Sequence, residues 1–252
     1  MVEFNTKTDY SKIAERYDKV RPSPADIWIL KIIEFGNIED KCNVLDVGCG
    51  TGRFPLAIYE VKECDICALD PSIEMLKKAV EKDISNLISW IRGDGQYLPF
   101  RENVFNCVYM TLVIHHIEDK KKAIKEIYRT LKVAGKCVIM TNSHARLRKQ
   151  VIRHFPGVIA YDLKRFPTIP YLKNVMKDLK YKIIKYQPVQ YNEYISKEEY
   201  MERVKNKYIS TLTLFSDEEF KKRYKIFENK ILRKYGSEII RHTGFDFIIG
   251  EK

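Results

Sequence analysis

Residues 43–52, Asn43-Val44-Leu45-Asp46-Val47-Gly48-Cys49-Gly50-Thr51-Gly52, run from a short apolar stretch straight into three glycines at alternate positions. A strand entering such a turn, with a helix leaving it, is the place where an open α/β sheet receives a nucleotide, outside the carboxyl ends of its strands. Glycines at alternate positions let the chain turn sharply and approach a ligand with its backbone. An acid, Asp70, follows 18 residues after Gly52, at the end of the next apolar stretch. There a carboxylate can accept both hydrogen bonds of a ribose diol.

Outward from this turn, strands and helices alternate. Asn43–Val47, Asp65–Asp70, Ile88–Arg92, Val104–Thr111 and Lys136–Thr141 read as strands without clean polar alternation, which describes a parallel sheet covered on both faces. Helices are expected over Pro24–Phe35, Thr51–Glu60, Ser72–Glu81 and Asp119–Leu131. The last of these carries Ala123, Ile124, Ile127, Tyr128 and Leu131 at helical period. Beyond residue 142 the pattern changes. Residues 145–154 and 171–179 look helical, with a loop between them punctuated by Pro156, Pro167 and Pro170. Lys182–Gln190 and Phe245–Ile249 read as the last two strands. Between them, Ser196 with Glu199 and Ser216 with Glu219 form two capping boxes that start two helices. The expected division is a sheet domain of residues 1–195 and 237–252, opened by N-terminal flap helices over 1–36, with a helical cap inserted at 196–236. The aromatic stripes of the cap serve its own packing, and some of those rings can also line a pocket.

The 252 residues include 45 basic and 34 acidic side chains, a net charge of +11 that falls entirely within residues 141–252. Such asymmetry suits an anionic partner, whether a phosphorylated or carboxylated substrate or RNA. It is equally what solvated lysine-rich helix faces would give. The longest uncharged run worth testing, Val104–Ile117, has 14 residues, short of the roughly 20 that span a membrane. With no secretory leader pattern at Met1, a soluble, cytoplasmic protein without membrane association is expected. The six cysteines then read as reduced thiols. Cys64 and Cys67 form a lone CxxC without a second ligand pair, so no metal site is expected.

The glycine turn by itself fits NAD or S-adenosylmethionine, since both present an adenosine. Three details separate them. The spacing is GxGxG, not the GxGxxG that seats a pyrophosphate on a helix N-terminus. Asp46 precedes the turn, where a carboxylate suits an ammonium group and repels a pyrophosphate. A second polar turn, Gly93-Asp94-Gly95, follows the third strand and offers a carboxylate to an adenine amino group.

Together these segments resemble the class I S-adenosylmethionine-dependent methyltransferases, in the small-molecule, UbiE-like (methyltransferase type 11) branch. LDVGCGTG (45–52) resembles the family's first motif, ALDPSIEML (68–76) its second, GDGQYLPF (93–100) its third and VYMTLVIHHIED (108–119) its fourth. EIYRTLKVAGK (126–136) is similar to the usual lead into strand five, and YSKIAERYDKVRP (10–22) to a common opening of the branch. The resemblance covers about residues 10–142. It implies a doubly wound, Rossmann-like, mostly parallel seven-stranded sheet whose last strand is antiparallel, and S-adenosyl-L-methionine as cofactor. Gly48, Cys49, Gly50 and Gly52 would frame the methionine end and Asp46 would meet its amino group. Asp70 would hold the ribose with Ser72 and Met75 nearby. Asp94 would hold the adenine amino group with Gly95 and Gln96 beside it, and Met110 and Thr111 would offer backbone groups. Asn106 departs from the aspartate frequent in that position, and a structural role is expected for it.

Methyl transfer is an in-line displacement in which the protein aligns and desolvates, so a base is needed only where the acceptor must lose a proton. His116 and His115 are the candidate bases, histidine being suited by its pKa near neutrality. Tyr17 is a candidate for the active-site lining, within an N-terminal helix that also carries Tyr10 and Arg21. His144, His154 and His242 have no partner signal and are expected on the surface. The acceptor is expected to be a small molecule methylated at O, N or C, by a monomer or homodimer. Two other readings stay open: an RNA methyltransferase acting on a tRNA wobble base, and a non-catalytic module that binds the cofactor or a partner. The (D/N)PPY segment of many base-amino methyltransferases is replaced by MTLV (110–113).

Overall fold

A computed structural model describes Glu15, Tyr17, Asp18 and residues 24–252, with Asn192 and residues 240–243 described by their backbone alone. Tyr10, Arg21 and the His242 side chain lie outside the described residues. The strands expected around the glycine turn are all present: β1 (Asn43–Val47), β2 (Asp65–Asp70), β3 (Ile88–Arg92), β4 (Phe105–Thr111) and β5 (Leu131–Thr141). With β6 (Ile183–Ser196) and β7 (Glu238–Glu251) they form a seven-stranded sheet in the order β3-β2-β1-β4-β5-β7-β6. Neighbours among β1–β5 pair in parallel, while β7 runs antiparallel to both β5 and β6. The doubly wound, mostly parallel architecture is the expected one.

Alternate strand residues feed two cores. Leu45, Val47, Val108, Met110 and Ile139 pack against Ile124 and Ile127 of α4 (Lys120–Thr130) and Leu172 and Met176 of α7 (Ile169–Asp178). On the other face, Val44, Ala68, Met140 and Phe247 meet α1 (Asp26–Gly36), α2 (Arg53–Val61) and α3 (Ile73–Lys82) through Ile32, Ile58 and Leu76. Burying each of the larger of these side chains contributes about 1.5–3 kcal/mol, which is why short parallel strands hold together here. Among the described residues no helix is long and apolar enough to cross a membrane.

Asn106 has the structural role expected of it. Its Oδ1 accepts the backbone N–H of Asn43 at 3.0 Å and the Lys132 ammonium at 2.9 Å. Asn43 Nδ2 donates in return to the Val104 carbonyl at 3.2 Å. The position needs an acceptor, and an amide oxygen serves as well as a carboxylate.

Three expectations are corrected. The proline-punctuated stretch is not a loop throughout: α6 (Val158–Arg165) fits between its prolines. Pro167 follows the end of α6, Pro170 occupies the first turn of α7, and Gly157 caps α6 with a φ of 90°, so the breakers mark helix ends rather than deny a helix. The helix expected over 145–154 is instead α5 (His144–Leu147) and a 3-10 turn at Val151–His154. Finally, β6 and β7 run well past Gln190 and before Phe245. Their outer halves pair only with each other, from Gln190↔Gly244 to Ser196↔Glu238, so polar residues on this two-stranded extension meet water at little cost.

That extension carries α8 (Lys197–Lys205), a 3-10 turn (Ser210–Leu214) and α9 (Asp217–Lys234). Both serines cap their helices as read, Ser196 Oγ accepting Glu199 N–H and Ser216 Oγ accepting Glu219 N–H, the serine half of each box. The aromatic stripes pack as a third core, in which Phe155 and Val158 from the segment after β5 join Tyr200, Val204, Phe227 and Ile231.

Candidate functional site

Four strand ends meet along one edge of the sheet. Asp46 and the glycine turn close β1, Asp70 closes β2, Asp94 follows β3, and Met110 and Thr111 end β4. Gly48, Gly50 and Gly52 have φ of 81°, 56° and 76°, a region L side chains resist. A Cβ on Gly48 would meet Val113 at 2.4 Å and one on Gly52 would meet Trp90 at 2.5 Å, whereas a Cβ on Gly50 would meet nothing within 4 Å. Two glycines therefore permit close packing, and the third faces open space. Cys49 is buried beside them.

Asp70 is buried and organised by the turn. Its Oδ2 accepts Gly50 N–H at 2.8 Å and its Oδ1 accepts Ser72 N–H at 2.9 Å. Burial raises its carboxyl above the usual range, and those two N–H groups offset part of the rise. Each oxygen keeps acceptor capacity for a further donor. The Ser72 hydroxyl caps α3 by accepting Met75 N–H, and Met75 is buried behind it. Gly95 is needed for packing, since a Cβ there would meet Val47 at 2.8 Å.

Asp46 is the unusual group. It is fully buried and neither oxygen has a hydrogen-bond partner. Burial pushes its carboxyl well up; the Tyr109 hydroxyl opposite it offsets part of this without reaching hydrogen-bond geometry, and the Asp70 charge adds to the rise. A buried carboxylate in this condition is costly unless a cation or donor meets it.

Beyond the turn lies a cavity of about 400 Å³ between the sheet, α6 and the insertion. His115 and His116 stand on its wall, as do Trp28, Arg53, Phe54, Tyr191 and Phe245; Tyr17 is half buried and not part of the described lining. The His115 ring stacks on Phe166 at 3.8 Å and 14° and leans on His116 at 4.0 Å. Arg165 Nη2 sits 3.0 Å from His116 Nδ1 and 3.5 Å from Nε2. The same guanidinium donates to Thr211 Oγ1 at 3.0 Å and Ser210 Oγ at 3.2 Å. The Thr211 hydroxyl in turn donates to Asp162. Burial lifts the Asp162 carboxyl to about 6, against the lowering effects of Thr211 and Arg165.

Asp162, Arg165, Ser210 and Thr211 carry no motif, and α6 was expected to be a loop, so no sequence signal pointed to them. Two expected surface histidines also have partners: His144 Nε2 lies 2.9 Å from the Phe166 carbonyl and His154 Nε2 lies 3.2 Å from the Lys234 ammonium.

The fold is that of the Rossmann-like methyltransferases, and the glycine turn and the acids beside it lie where the resemblance to class I S-adenosylmethionine-dependent methyltransferases implies. Residues 45–139 match the family model of a methyltransferase domain, and together with the UbiE-like relatives this match supports a methyltransferase of that class and branch. Its cofactor is S-adenosylmethionine. The chain is 28% identical over 177 residues to the ubiquinone/menaquinone biosynthesis C-methyltransferase UbiE of Blochmanniella floridana, covering 66% of this chain and 67% of that protein. It is 32% identical over 113 residues to the demethylmenaquinone methyltransferase of Lactiplantibacillus plantarum, covering 42% of this chain and 48% of that protein. The matches thus span about half to two thirds of these relatives' lengths. Among solved structures, one described as a methyltransferase from an antibiotic biosynthesis pathway of Anabaena variabilis superposes with a TM-score of 0.73 at 20% identity, covering 90% of this chain and 98% of that one. Phosphoethanolamine N-methyltransferase 2 of Haemonchus contortus, solved with S-adenosylmethionine, superposes with a TM-score of 0.66 at 19% identity, covering 96% and 57%.

Proposed function

We propose that this protein transfers a methyl group from S-adenosylmethionine to a small-molecule acceptor held in the cavity beside the glycine turn. The observation that carries this reading is the cavity itself. Its volume of about 400 Å³ and its aromatic walls suit a small organic molecule, not a folded polymer. Relatives named as C-methyltransferases of quinone biosynthesis favour carbon as the atom methylated. The helices between β6 and β7, with the 151–166 segment, act as the cap over the acceptor, and the reaction takes place in the cytoplasm.

The cofactor residues are assigned by fit. Asp46, buried without a partner, meets the cationic amino group of the methionine end. Gly48, Cys49, Gly50 and Gly52 frame it, with Gly50 allowing the closest approach. Asp70 receives the ribose diol on the capacity left by Gly50 and Ser72. Asp94 takes the adenine amino group, and Met110 and Thr111 border the reacting end. When bound, the cofactor supplies a methyl group on a sulfonium, already a good leaving group. The chain's own work is alignment and exclusion of water. His116 and His115, on the cavity wall, accept the proton that the acceptor loses, and Tyr17 closes the site from the N-terminal side.

The test is transfer of a labelled methyl group to a panel of reduced naphthoquinols, phenols, ethanolamine phosphate and unmodified tRNA. Label in a small organic acceptor supports the proposal. Label in tRNA alone would replace it with the RNA reading, which the basic residues 141–252 otherwise favour. S-adenosylhomocysteine binding with no labelled product across a wide panel would favour a non-catalytic module.

A further inference from the structure

We infer that Gln96 is the positioning residue of the adenine site, acting on the cofactor through Asp94 and joining that carboxylate to the helix that follows the two histidines. The inference rests on the proposed role of Asp94.

Asp94 is exposed, in a turn closed by Tyr97 N–H donating to its carbonyl at 2.9 Å. An exposed carboxylate rotates freely, and fixing it on ligand binding costs entropy. Gln96 removes that freedom beforehand. Its backbone N–H donates to Asp94 Oδ1 at 2.8 Å, and its side-chain Nε2 lies 3.2 Å from Oδ1 and 3.1 Å from Oδ2. Oδ1 is thus reached twice and Oδ2 once, so most of the remaining acceptor capacity is on Oδ2. An incoming amino group is offered one preferred oxygen in one orientation.

The other end of the same amide is also engaged. Gln96 Oε1 accepts Asp119 N–H at 2.8 Å. This fixes which way the amide faces, because the reverse orientation would set its oxygen against a carboxylate and its NH₂ against an N–H. Asp119 is the N-cap of α4, its Oδ1 accepting Lys122 N–H at 2.9 Å. Residues 112–118, which lead into this cap, include His115 and His116 on the cavity wall. One side chain therefore spans the adenine carboxylate and the start of the helix that anchors the acceptor-side loop.

The variants are Gln96→Ala, Gln96→Glu, Asp94→Ala and the Asp94→Ala/Gln96→Ala pair. Gln96→Ala keeps the backbone bond to Asp94, so the turn persists, and an unchanged unfolding midpoint of the free protein checks this. Calorimetric titration with S-adenosylhomocysteine should show binding about threefold to tenfold weaker in Gln96→Ala, the size expected for the entropy of ordering one side chain on binding. Gln96→Glu should be weaker still, because it sets a second carboxylate against the first. With the analogue carrying hydrogen in place of the 6-amino group, wild type and Gln96→Ala should bind within about twofold of each other, and the double variant should bind no more weakly than Asp94→Ala. Hydrogen exchange at Asp119 should quicken in Gln96→Ala. Wild-type affinity in Gln96→Ala beside a weakened Asp94→Ala would overturn the inference alone. So would a loss that persists with the deamino analogue or adds to that of Asp94→Ala. Wild-type affinity in Asp94→Ala would overturn the adenine assignment and the inference with it.

Discussion

The Thr51 hydroxyl of the glycine turn donates to Asp18 Oδ1 at 2.6 Å, so a residue of the N-terminal segment is bonded directly to the loop proposed to frame the cofactor. The second oxygen of Asp18 pairs with Lys82, the last residue of α3, at 2.9 Å. That pair is about one third exposed on each side, and a pair so open to solvent contributes little by itself. The hydroxyl bond is part buried and carries the connection. Asp18→Ala is expected to weaken S-adenosylhomocysteine binding about threefold to tenfold while leaving the unfolding midpoint nearly unchanged. Thr51→Val should do the same, and the two together no more than either. Calorimetry on the three variants decides it, and additive losses would show that Asp18 and Thr51 act independently.

The three glycines of the turn should separate by phenotype. A Cβ on Gly48 or Gly52 runs into Val113 or Trp90, so Gly48→Ala and Gly52→Ala should lower the unfolding midpoint by several degrees, through clash and strain of about 1–3 kcal/mol each. Gly50→Ala meets no neighbour and bears only the left-handed strain of about 1–2 kcal/mol. Its methyl group projects into the space assigned to the cofactor, so binding should fall more than its stability does. Thermal unfolding with and without S-adenosylhomocysteine measures both. Equal binding by Gly50→Ala and wild type would move the cofactor away from this glycine.

The glycine turn, to which the cofactor is proposed to bind, was legible because its geometry demands particular residues in one contiguous run. Positive φ at Gly48, Gly50 and Gly52 leaves few alternatives to glycine, and the strand before them fixes where Asp46 falls. The cavity proposed to hold the acceptor was not legible for the opposite reason. Its wall is assembled from His116, Phe166, Tyr191, Ser210 and Thr211, contributed by well-separated segments and each ordinary in its own stretch. Arg165, which binds three of these segments together, lies in a helix that the flanking Pro156 and Pro167 disguised. The outer halves of β6 and β7 were missed because the outer half of β6 is mostly exposed, and the paired Ile195 and Ile239, buried in the third core, are too few to set an alternating pattern.

Asp162 should leave a signature in the pH dependence of stability. Its carboxyl titrates at about 6 in the folded protein against an ordinary value of 3.8. A carboxyl raised on folding contributes stability that is present in full below the unfolded value and is lost as pH rises through the folded one. Between about pH 4 and 6 this group should therefore reduce stability by up to about 3 kcal/mol. Asp162→Asn keeps an acceptor for the Thr211 hydroxyl and removes the charge, so its stability should be flatter over that window and higher than wild type at pH 8. Urea unfolding at pH 4, 6 and 8 checks the sign. A variant less stable than wild type at pH 8 would mean that the attraction of Asp162 for Arg165 outweighs the cost of burial.

Asp246 should show the opposite sign. It is buried on β7, where Arg146 grips it with Nε to Oδ2 at 3.0 Å and Nη2 to Oδ1 at 3.2 Å. Ser143 N–H at 2.7 Å and the Tyr186 hydroxyl at 2.9 Å complete its shell. Burial pushes the carboxyl up, but the bonds from Arg146 and Ser143 outweigh it and hold the group below its ordinary value of 3.8. A depressed carboxyl contributes stability above its unfolded pKa and loses it as pH falls through the folded value. Wild type should therefore lose this contribution only below about pH 4. Arg146→Met leaves a buried carboxylate without its cation and should cost roughly 3–5 kcal/mol at pH 7. Without the guanidinium, burial dominates and the carboxyl titrates higher, so the deficit of Arg146→Met should shrink as pH is lowered toward 4. Arg146→Met/Asp246→Asn removes the orphaned charge and should recover part of the loss at neutral pH. Urea unfolding of the three proteins across pH 4–8 tests this, and a pH-independent deficit in Arg146→Met would show that packing over Gly244, not charge, is what Arg146 supplies.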